Sequence, residues 1–312
     1  MTPLRIGTRS SRLALWQAEH VAALLGPARP VELVHIQTQG DRDSAASLAQ
    51  IGGQGVFTKE IQRALLDRRV DVAVHSLKDL PTEPSPGLVI GAVPPRGPTG
   101  DALVSRNGVR FAELPPRARI ATGSVRRRAM LLNRQPDLHP VDIRGNVDSR
   151  LRKLETDELD ALVLAEAGLV RLGLESVITE LFDQTWMLPA VGQGALGLEC
   201  RAEDAETLAL LAVLDDRATR AAVTAERALL FHLGGGCQVP LGALGMVTGE
   251  WLTLRGAVLA LDGTRRIDGE LAGAASEAAA IGERLAAHLR DRGAGELLTV
   301  SPRPERSEGS AM

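Results

Sequence analysis

The fold of this chain can be read outward from residues 70–81, which run Val70-Asp71-Val72-Ala73-Val74-His75-Ser76-Leu77-Lys78-Asp79-Leu80-Pro81. The first five residues are nearly all apolar, as expected for a strand that is buried in an α/β sheet. A polar turn follows and ends at a proline, which cannot donate a backbone hydrogen bond to a sheet. The stretch therefore predicts a buried strand whose carboxyl end carries a polar turn.

The same alternation of apolar strands and amphipathic helices extends over the first two-thirds of the chain. Further strands are predicted at residues 4–8, 31–38, 102–105, 119–121, 141–144, 160–165 and 196–200, and helices at residues 11–25, 59–67, 126–133 and 147–154. Strands that alternate with helices in this way indicate parallel sheets that are covered by helices on both faces.

Two proline- and glycine-rich segments, residues 91–100 and 188–194, are predicted to cross between two lobes. We therefore predict a first α/β domain at residues 1–94 and 195–215 and a second at residues 100–188. Helices at residues 217–233 and 275–291, with strands at 251–261 and 265–271, predict a C-terminal α+β domain over residues 216–300. The polar residues 301–312 are predicted to be a disordered tail.

Composition narrows the class of protein. The chain has 312 residues, of which 44% are hydrophobic and 24% charged, and its net charge of −3 gives no basic field for nucleic acid. It has no apolar run long enough to span a membrane and no N-terminal signal peptide, so we expect a cytoplasmic protein. The two cysteines and six histidines have no disulfide or metal-ligand spacing, so we expect no metal.

Arginine is concentrated where predicted strands turn into helices. The residues at these junctions are Arg9 and Ser11, then Ser124, Arg126, Arg127 and Arg128, then Arg144, Gly145 and Arg150, and finally Arg171. Strand carboxyl ends line the ligand crevice of open α/β sheets, although the helix dipole disfavours cations at a helix N-terminus. Because an arginine fork can hold a carboxylate with two hydrogen bonds, the pattern indicates a ligand with several anionic groups.

Two single residues and one segment each allow more than one interpretation. Asp79 is either a cap or ion-pair partner, or a carboxylate that stabilises a developing cation. Cys237, which follows three glycines, is either a small buried side chain or a nucleophile or covalent anchor. The glycine-rich residues 51–57 do not match a phosphate-binding loop, and with polar residues 39–47 they predict a lid over the cleft.

Six motifs, in this order and spacing, resemble those of the porphobilinogen deaminases, a family also called hydroxymethylbilane synthases. They are RIGTRSS at residues 5–11, LALWQ at 13–17, HSLKDLP at 75–81, IRGNV at 143–147, LPAVGQGA at 188–195 and GGCQVP at 235–240. The resemblance extends through nearly the whole chain, to about residue 300.

The resemblance implies an α/β fold with two periplasmic-binding-protein-like lobes of mixed, mainly parallel sheets, plus a C-terminal α+β domain. It implies a transferase that deaminates four porphobilinogen molecules and joins them head to tail on a covalent dipyrromethane cofactor, releasing the linear tetrapyrrole hydroxymethylbilane. Loss of ammonia from porphobilinogen leaves an electrophilic azafulvene, whose positive charge a carboxylate can stabilise. The resemblance also implies a monomer whose product passes to the next enzyme of tetrapyrrole synthesis.

The resemblance assigns roles to individual residues. Asp79 would be catalytic, and Cys237 would hold the cofactor through a thioether. The other cofactor-binding residues would be Ser76, Lys78, Ser124, Arg126, Arg127, Arg144 and Gly145. Substrate would be bound by Arg9, Ser11, Gln17, Arg144, Arg150 and Arg171. The chain departs from the family pattern at Gln54, where lysine is frequent, and at residues 121–124, where it has Ala-Thr-Gly-Ser and the family has Gly-Thr-Ser-Ser before the paired arginines.

Two other functions fit parts of the sequence. A non-catalytic binder of a polyanionic solute would use the same two lobes, but it would carry an export signal and would have no use for the third domain. A cysteine hydrolase would use Cys237 with His75 or His232 as its base, but no further residue that would orient the histidine is evident.

Overall fold

The structure is a computed structural model that describes residues 2–26, 28–38, 58–234 and 239–299. The predicted lid within residues 39–57, which includes Gln54, lies outside the described residues. Cys237 and the tail at residues 301–312 lie outside them as well.

The described part of the chain alternates strands and helices before it ends in a separate sheet. Its strands are β1 (Leu4–Thr8), β2 (Val31–His35), β3 (Val72–Ser76), β4 (Leu88–Ala92), β5 (Asp101–Ser105), β6 (Arg119–Ala121), β7 (His139–Val141), β8 (Ala161–Ala165), β9 (Glu180–Leu181), β10 (Leu196–Arg201), β11 (Leu241–Thr248), β12 (Trp251–Leu259) and β13 (Arg266–Ala274). Its helices are α1 (Arg12–Leu25), α2 (Lys59–Leu66), α3 (Val125–Arg134), α4 (Val147–Thr156), α5 (Glu166–Arg171), α6 (Ala205–Ala212), α7 (Arg217–His232), α8 (Ala278–Asp291) and α9 (Ala294–Thr299).

Two five-stranded sheets form the two lobes. The first has the strand order β2-β1-β3-β10-β4 and the second has the order β7-β6-β8-β5-β9. In the first sheet β1 runs parallel to β2 and β3, whereas β10 runs antiparallel to β3 and β4. In the second sheet β6 runs parallel to β7 and β8, whereas β5 runs antiparallel to β8 and β9. The predicted α/β class with mixed, mainly parallel sheets is confirmed, because in each of these two sheets four strands run in one direction and one strand, β10 or β5, runs in the other.

The two crossings between the lobes lie side by side. The backbone N–H of Gly97 donates to the carbonyl of Gly194 at 3.1 Å. Gly194 has φ +84, and a Cβ there would lie 2.6 Å from the carbonyl oxygens of both Gly97 and Pro98. Since no larger residue fits, the glycine lets the two crossings touch and form one narrow connection between the lobes.

The C-terminal unit is an antiparallel sheet of β11, β12 and β13 with α7 and α8 packed on it. Leu229 of α7 and Leu285 and Leu289 of α8 are fully buried in this core. The predicted α+β character of this unit is confirmed. The three sheets follow the order of the predicted domains, and the residue boundaries between the domains stay a prediction.

The ends of the predicted elements differ from the structure by a few residues, with one consequence for the site. The strand predicted at residues 141–144 lies at His139–Val141 instead, so Arg144 follows the strand in a loop. Among the described helices, none is long and apolar enough to cross a membrane.

Candidate active site

A cavity of about 680 Å³ lies between the lobes, where strand ends from both sheets meet. The first lobe contributes the loop after β1 and the turn after β3, and the second contributes the loops after β6, β7 and β8. The polar and charged residues that line it include Arg9, Ser11, Ser76, Lys78, Asp79, Ser124, Arg126, Arg127, Arg144, Asn146, Arg150, Arg171, Gln193 and Arg227. The predicted strand-end arginines therefore line one cavity, with the exception of Arg128, which is exposed and does not line it.

The turn that carries Asp79 is held firmly by backbone contacts. β3 continues directly into a single 3₁₀ turn, Leu77–Asp79, in which the N–H of Leu80 donates to the carbonyl of Leu77 at 3.2 Å. The N–H of Leu77 donates to the carbonyl of Ala195 at 3.0 Å, at the start of β10. Leu77 and Leu80 are buried, while Asp79 is exposed to the cavity. The fold thus presents a carboxylate from a rigid support.

The cavity changes the protonation of the lysine beside this carboxylate. Burial and the nearby guanidiniums of Arg127 and Arg126 lower the pKa of Lys78 to about 8, although the charges of Asp79 and Asp101 act in the opposite direction. The Lys78 ammonium also donates to Oε1 of Gln193 at 3.4 Å. This lysine therefore gains or loses its charge near physiological pH.

Arg126 and Arg127 are satisfied largely within the protein. Nη1 of Arg126 donates to Oδ2 of Asp101 at 2.7 Å and to the carbonyl of Leu188 at 2.6 Å. Nε and Nη2 of Arg127 donate to Oδ1 of Asp101 at 2.9 and 2.7 Å. Burial alone would raise the pKa of Asp101, but the two guanidiniums outweigh it and hold that pKa well below its usual range. The Asp101 carboxylate offsets part of the positive charge that two arginines place at the start of α3.

Three other arginines from the second lobe line the same cavity, namely Arg144, Arg150 and Arg171. The partners of the last two are backbone carbonyls. Nε of Arg150 donates to the carbonyl of Gly145 at 2.8 Å, and Nη2 of Arg171 donates to the carbonyl of Gly194 at 2.7 Å. Burial lowers the pKa of both to about 10, and for Arg150 the charges of Arg127 and Arg144 add to this effect. Both arginines remain cationic at neutral pH, so this wall is suited to carboxylate ligands.

Gly145 supports this wall by its conformation. It has φ +112, and a Cβ there would lie 2.2 Å from Oγ of Ser149. Any other residue would disturb the first turn of α4, which Asn146 caps by accepting from the N–H of Ser149 at 2.9 Å. The glycine therefore allows the loop to turn directly from Arg144 into the helix that carries Arg150.

The predicted serines and glutamine have roles in local structure. Ser11 caps α1 by accepting from the N–H of Ala14, and Ser124 caps α3 by accepting from the N–H of Arg127. Gln17 is buried and does not line the cavity; its Nε2 donates to Oγ of Ser76 at 2.9 Å. Gln17 thus holds Ser76 from behind, and its predicted contact with substrate stays a prediction.

The C-terminal unit closes one side of the cavity. Arg227 and Leu230 of α7 line it, as do Val239 and Leu241. Val239 is the second residue after Cys237 in the sequence, so the described chain resumes at the cavity wall two positions after the cysteine. Every predicted site residue within the described ranges lines the cavity except Gln17.

The strand-end pattern missed three residues of the site because they do not follow a strand. Asp101 opens β5, Gln193 lies in the second crossing and Arg227 lies within α7. Nε2 of Gln193 donates to Oδ1 of Asp101 at 2.9 Å, so the crossing joins Lys78 of the first lobe to the Asp101 cluster of the second. Arg227 had one signal in the sequence, since it lies seven residues after Arg220 and hence on the same face of a helix.

The two histidines that a hydrolase would need have other partners. Nε2 of His75 lies 3.0 Å from Oε2 of Glu199, and both side chains are buried beneath the first sheet's surface. The ring of His232 packs edge-on against Phe231, with 5.3 Å between centroids. Neither lines the cavity. This geometry gives a hydrolase no support.

Comparisons with known proteins match nearly the whole chain. Residues 4–209 match the family model described as "Porphobilinogen deaminase, dipyromethane cofactor binding domain", and residues 220–291 match "Porphobilinogen deaminase, C-terminal domain". The chain is 50% identical over 307 residues to the porphobilinogen deaminase of Syntrophotalea carbinolica, covering 96% of this chain and 98% of that protein. It is 51% identical over 296 residues to that of Desulforudis audaxviator, covering 94% and 96% of the two chains.

Similar solved structures include two proteins of low sequence identity. One is the periplasmic VFT2 domain of BvgS from Bordetella pertussis, at 14% identity and a TM-score of 0.41, covering 67% of this chain and 85% of that one. The other is a putative lipoprotein from Ruminococcus gnavus, at 10% identity and a TM-score of 0.43, covering 68% and 90%.

The two family models, the relatives with about half of their residues identical and the six sequence motifs agree with one another. They confirm the resemblance predicted from the motifs. The chain therefore belongs to the porphobilinogen deaminase family.

Proposed function

We propose that this protein is a hydroxymethylbilane synthase, which joins four porphobilinogen molecules head to tail with loss of ammonia. The observation that carries the proposal is the convergence of Asp79 from the first lobe and the arginines of the second lobe on one cavity. Each ring of the growing product bears an acetate and a propionate. A wall of arginines can hold those carboxylates, and the opposite carboxylate is free to act on the reacting centre.

The residues present fit a covalently held dipyrromethane. Two linked rings carry four carboxylates, and the cavity offers Lys78, Arg126, Arg127 and Arg144 to bind them. The cavity also reaches Val239, two positions after Cys237. We propose that Cys237 is the point of attachment, through a thioether. When bound, the cofactor supplies a pyrrole with a free α-carbon, which is the nucleophile of the reaction.

The protein's own residues would orient the substrate and stabilise charge. The acetate and propionate of the incoming porphobilinogen would be held by Arg9 and Ser11 from the first lobe and by Arg144, Arg150 and Arg171 from the second. Asp79 would lie beside the aminomethyl group and stabilise the positive charge that develops as ammonia leaves. It would then accept, or hold near it, the proton lost when the new carbon–carbon bond has formed.

The first test is an intact mass of the purified, denatured protein. A covalent excess equal to two linked pyrroles, absent from Cys237→Ala, would support the cofactor and its anchor together. Cys200→Ala is the matched control, because that thiol is buried on β10 and should leave the excess unchanged. A bare mass that stays unchanged after incubation with porphobilinogen would contradict the proposal and favour a binder of anionic solutes.

A second test addresses the role of Asp79. Asp79→Asn should keep the covalent mass but lose turnover by about a hundredfold or more, because an amide cannot offset a developing positive charge. Asp79→Glu keeps the charge and should retain more activity than the amide. Turnover of Asp79→Asn within about twofold of the parent would contradict the catalytic role.

The wider setting follows from the same proposal. The substrate is a small polar molecule, so the enzyme would act in the cytoplasm. The product is a linear chain of four rings with reactive ends, so a following enzyme of tetrapyrrole synthesis must consume it. One chain contains the whole cavity, and we propose that it acts as a monomer.

A further inference from the structure

Arg12 links the two lobes at a distance from the crossings, and the reaction described above does not use it. Its Nη1 donates to Oδ1 of Asp148 at 3.1 Å, and its Nη2 donates to the carbonyl of Leu172 at 3.1 Å. Asp148 lies in the first turn of α4, and Leu172 is the cap at the end of α5. One guanidinium from the first lobe therefore holds two helices of the second.

The position of Arg12 has no local explanation. It is the first residue of α1, which has no acidic residue in its first turn, and the helix dipole disfavours a cation there. Asp148 has the opposite setting, because a carboxylate in the first turn of α4 is favoured by the dipole of that helix. The carboxylate of Asp148 in the second lobe therefore compensates the positive charge of Arg12, which no acidic residue in the first turn of α1 does.

The contact continues along the same face of α1. The guanidinium of Arg171 lies 5.8 Å from the ring centroid of Trp16, one turn after Arg12. Between these helices a groove of about 570 Å³ stays open, lined in part by Ser10, Leu15 and Glu19. Tight apolar packing therefore does not close the lobes here, and a few polar contacts hold them together.

The length of the growing chain bears on this contact. A pocket of about 300–1,000 Å³ holds one drug-sized ligand, and the cavity of about 680 Å³ lies within that range. Two pyrrole rings with their acidic side chains are of that size, whereas two rings plus four additions make a chain three times as long. A chain of that length exceeds this volume, and separation of the lobes would make room for it while the crossings keep them connected.

We propose that Arg12 is a positioning residue, whose bonds to Asp148 and Leu172 hold the cleft at the width that suits a short pyrrole chain. It acts through α4, which carries Arg150, and through α5, which ends at Arg171. The side chains of Arg12 and Asp148 are 58% and 37% exposed. An exposed pair of this kind shifts an equilibrium by only about one-and-a-half-fold to fivefold, so it can break as the chain grows.

Hydrogen exchange of the protein without substrate tests the contact by itself. Arg12→Gln and Asp148→Asn should each speed exchange of the amides in the first turn of α4 by about two- to fivefold. The double variant should be no faster than the faster single variant. Glu158→Gln is the matched control, because it breaks an exposed pair of the same 3.1 Å length with Arg119 inside the second lobe. Additive effects in the double variant, or an equal effect of Glu158→Gln, would overturn the proposal.

Kinetics test the consequence for the reaction, and this part rests on the proposed function. Both single variants should raise KM for porphobilinogen by about two- to fivefold, with kcat unchanged or increased. Added salt should raise the parent's KM towards that of the variants, since salt screens exposed pairs.

The two measurements separate the possible failures. If neither the parent nor any variant is active while the hydrogen-exchange results are as expected, the proposed function is overturned and the proposed contact between the lobes stands. Normal activity with KM and its salt dependence unchanged in the variants would overturn the positioning role.

Discussion

At the scale of single residues, Lys78 is the side chain whose charge the site controls most directly. Its pKa of about 8 lies below the ordinary lysine value of 10.5, because burial and two neighbouring guanidiniums disfavour the ammonium. The folded state thus prefers neutral Lys78, so its contribution to stability increases as pH rises from about 8 towards 10.5. Ligand carboxylates act in the opposite sense, because they favour the ammonium and bind best below pH 8.

We therefore predict that the apoprotein acquires its covalent cofactor more slowly as pH rises from 7 to 9, because Lys78 is proposed to bind the cofactor's carboxylates. Lys78→Arg should remove this decline, since arginine stays charged throughout the range. Lys78→Gln should also give a flat profile, with loading about tenfold slower at pH 7, because a charged hydrogen bond to carboxylate is lost. Intact masses of the apoprotein after timed incubation with porphobilinogen provide the measurement, and an unchanged decline in Lys78→Arg would contradict the assignment.

At the scale of secondary-structure elements, α3 depends on a carboxylate from another strand. Arg126 and Arg127 lie in its first turn, where the dipole disfavours them, and both are buried. Asp101 at the start of β5 bonds to both guanidiniums and is itself fully buried. Because the pKa of Asp101 is depressed in the folded state, its stabilising contribution is complete above about pH 4 and is lost as pH falls towards the folded value.

Asp101→Asn should lower the free energy of unfolding by about 3–5 kcal/mol, since it leaves two buried cations without their counter-ion. Urea denaturation at pH 7 would measure the change. Glu203→Gln is the control, because its pair with Arg68 is exposed and should contribute less than about 1 kcal/mol. A loss at Asp101 as small as the control's would mean that water or other groups already compensate the arginines.

The elements also show how far the sequence predicts the structure. Strands such as β3 and β8 and helices such as α1 were predicted closely, because apolar runs and helical periodicity are local signals, whereas β4, β11 and α6 were missed. The direction of β10 was not predicted, because it depends on where the chain re-enters the first sheet. The two-residue strand β9 (Glu180–Leu181) was missed, since so short a segment shows no periodicity.

The residues of the site likewise divide into those that the sequence predicted and those that it did not. Arginines that follow strands, such as Arg144 and Arg171, were predicted because strand ends of an α/β sheet share one edge. Asp101 and Gln193 were missed because their contacts join segments far apart in the chain. A pairing of this kind depends on how the two lobes meet, which no local pattern records.

At the scale of the whole molecule, α7 connects the crossings to the site. Glu226 is fully buried and accepts from both Nη atoms of Arg96 at 2.7 and 3.0 Å, and from the N–H of Gly192 at 2.7 Å. It thereby binds both crossings to the C-terminal unit. One residue later, Arg227 donates to the carbonyls of Leu80 and Pro81, directly after Asp79.

The helix that precedes Cys237 is thus fastened to the turn that carries Asp79. Nη1 of Arg227 lies 3.1 Å from the carbonyl oxygen of Leu80, and Nη2 lies 2.6 Å from that of Pro81. These bonds fix the end of the C-terminal unit against the first lobe. Arg227 therefore fastens α7, which ends five residues before the proposed anchor, to the turn that carries the proposed catalytic carboxylate.

Arg227→Met keeps much of the side chain's apolar stem but removes its donors, so it should let α7 move relative to this turn. We expect kcat to fall about tenfold, because small displacements of a reacting group are costly, while the free energy of unfolding falls by only about 1–3 kcal/mol. Arg227→Lys keeps the charge without the fork, so it can bind one of the two carbonyls and should recover part of kcat. The measurement is steady-state kinetics with urea denaturation on the same preparations, and an unchanged kcat in Arg227→Met would show that the turn holds its position without α7.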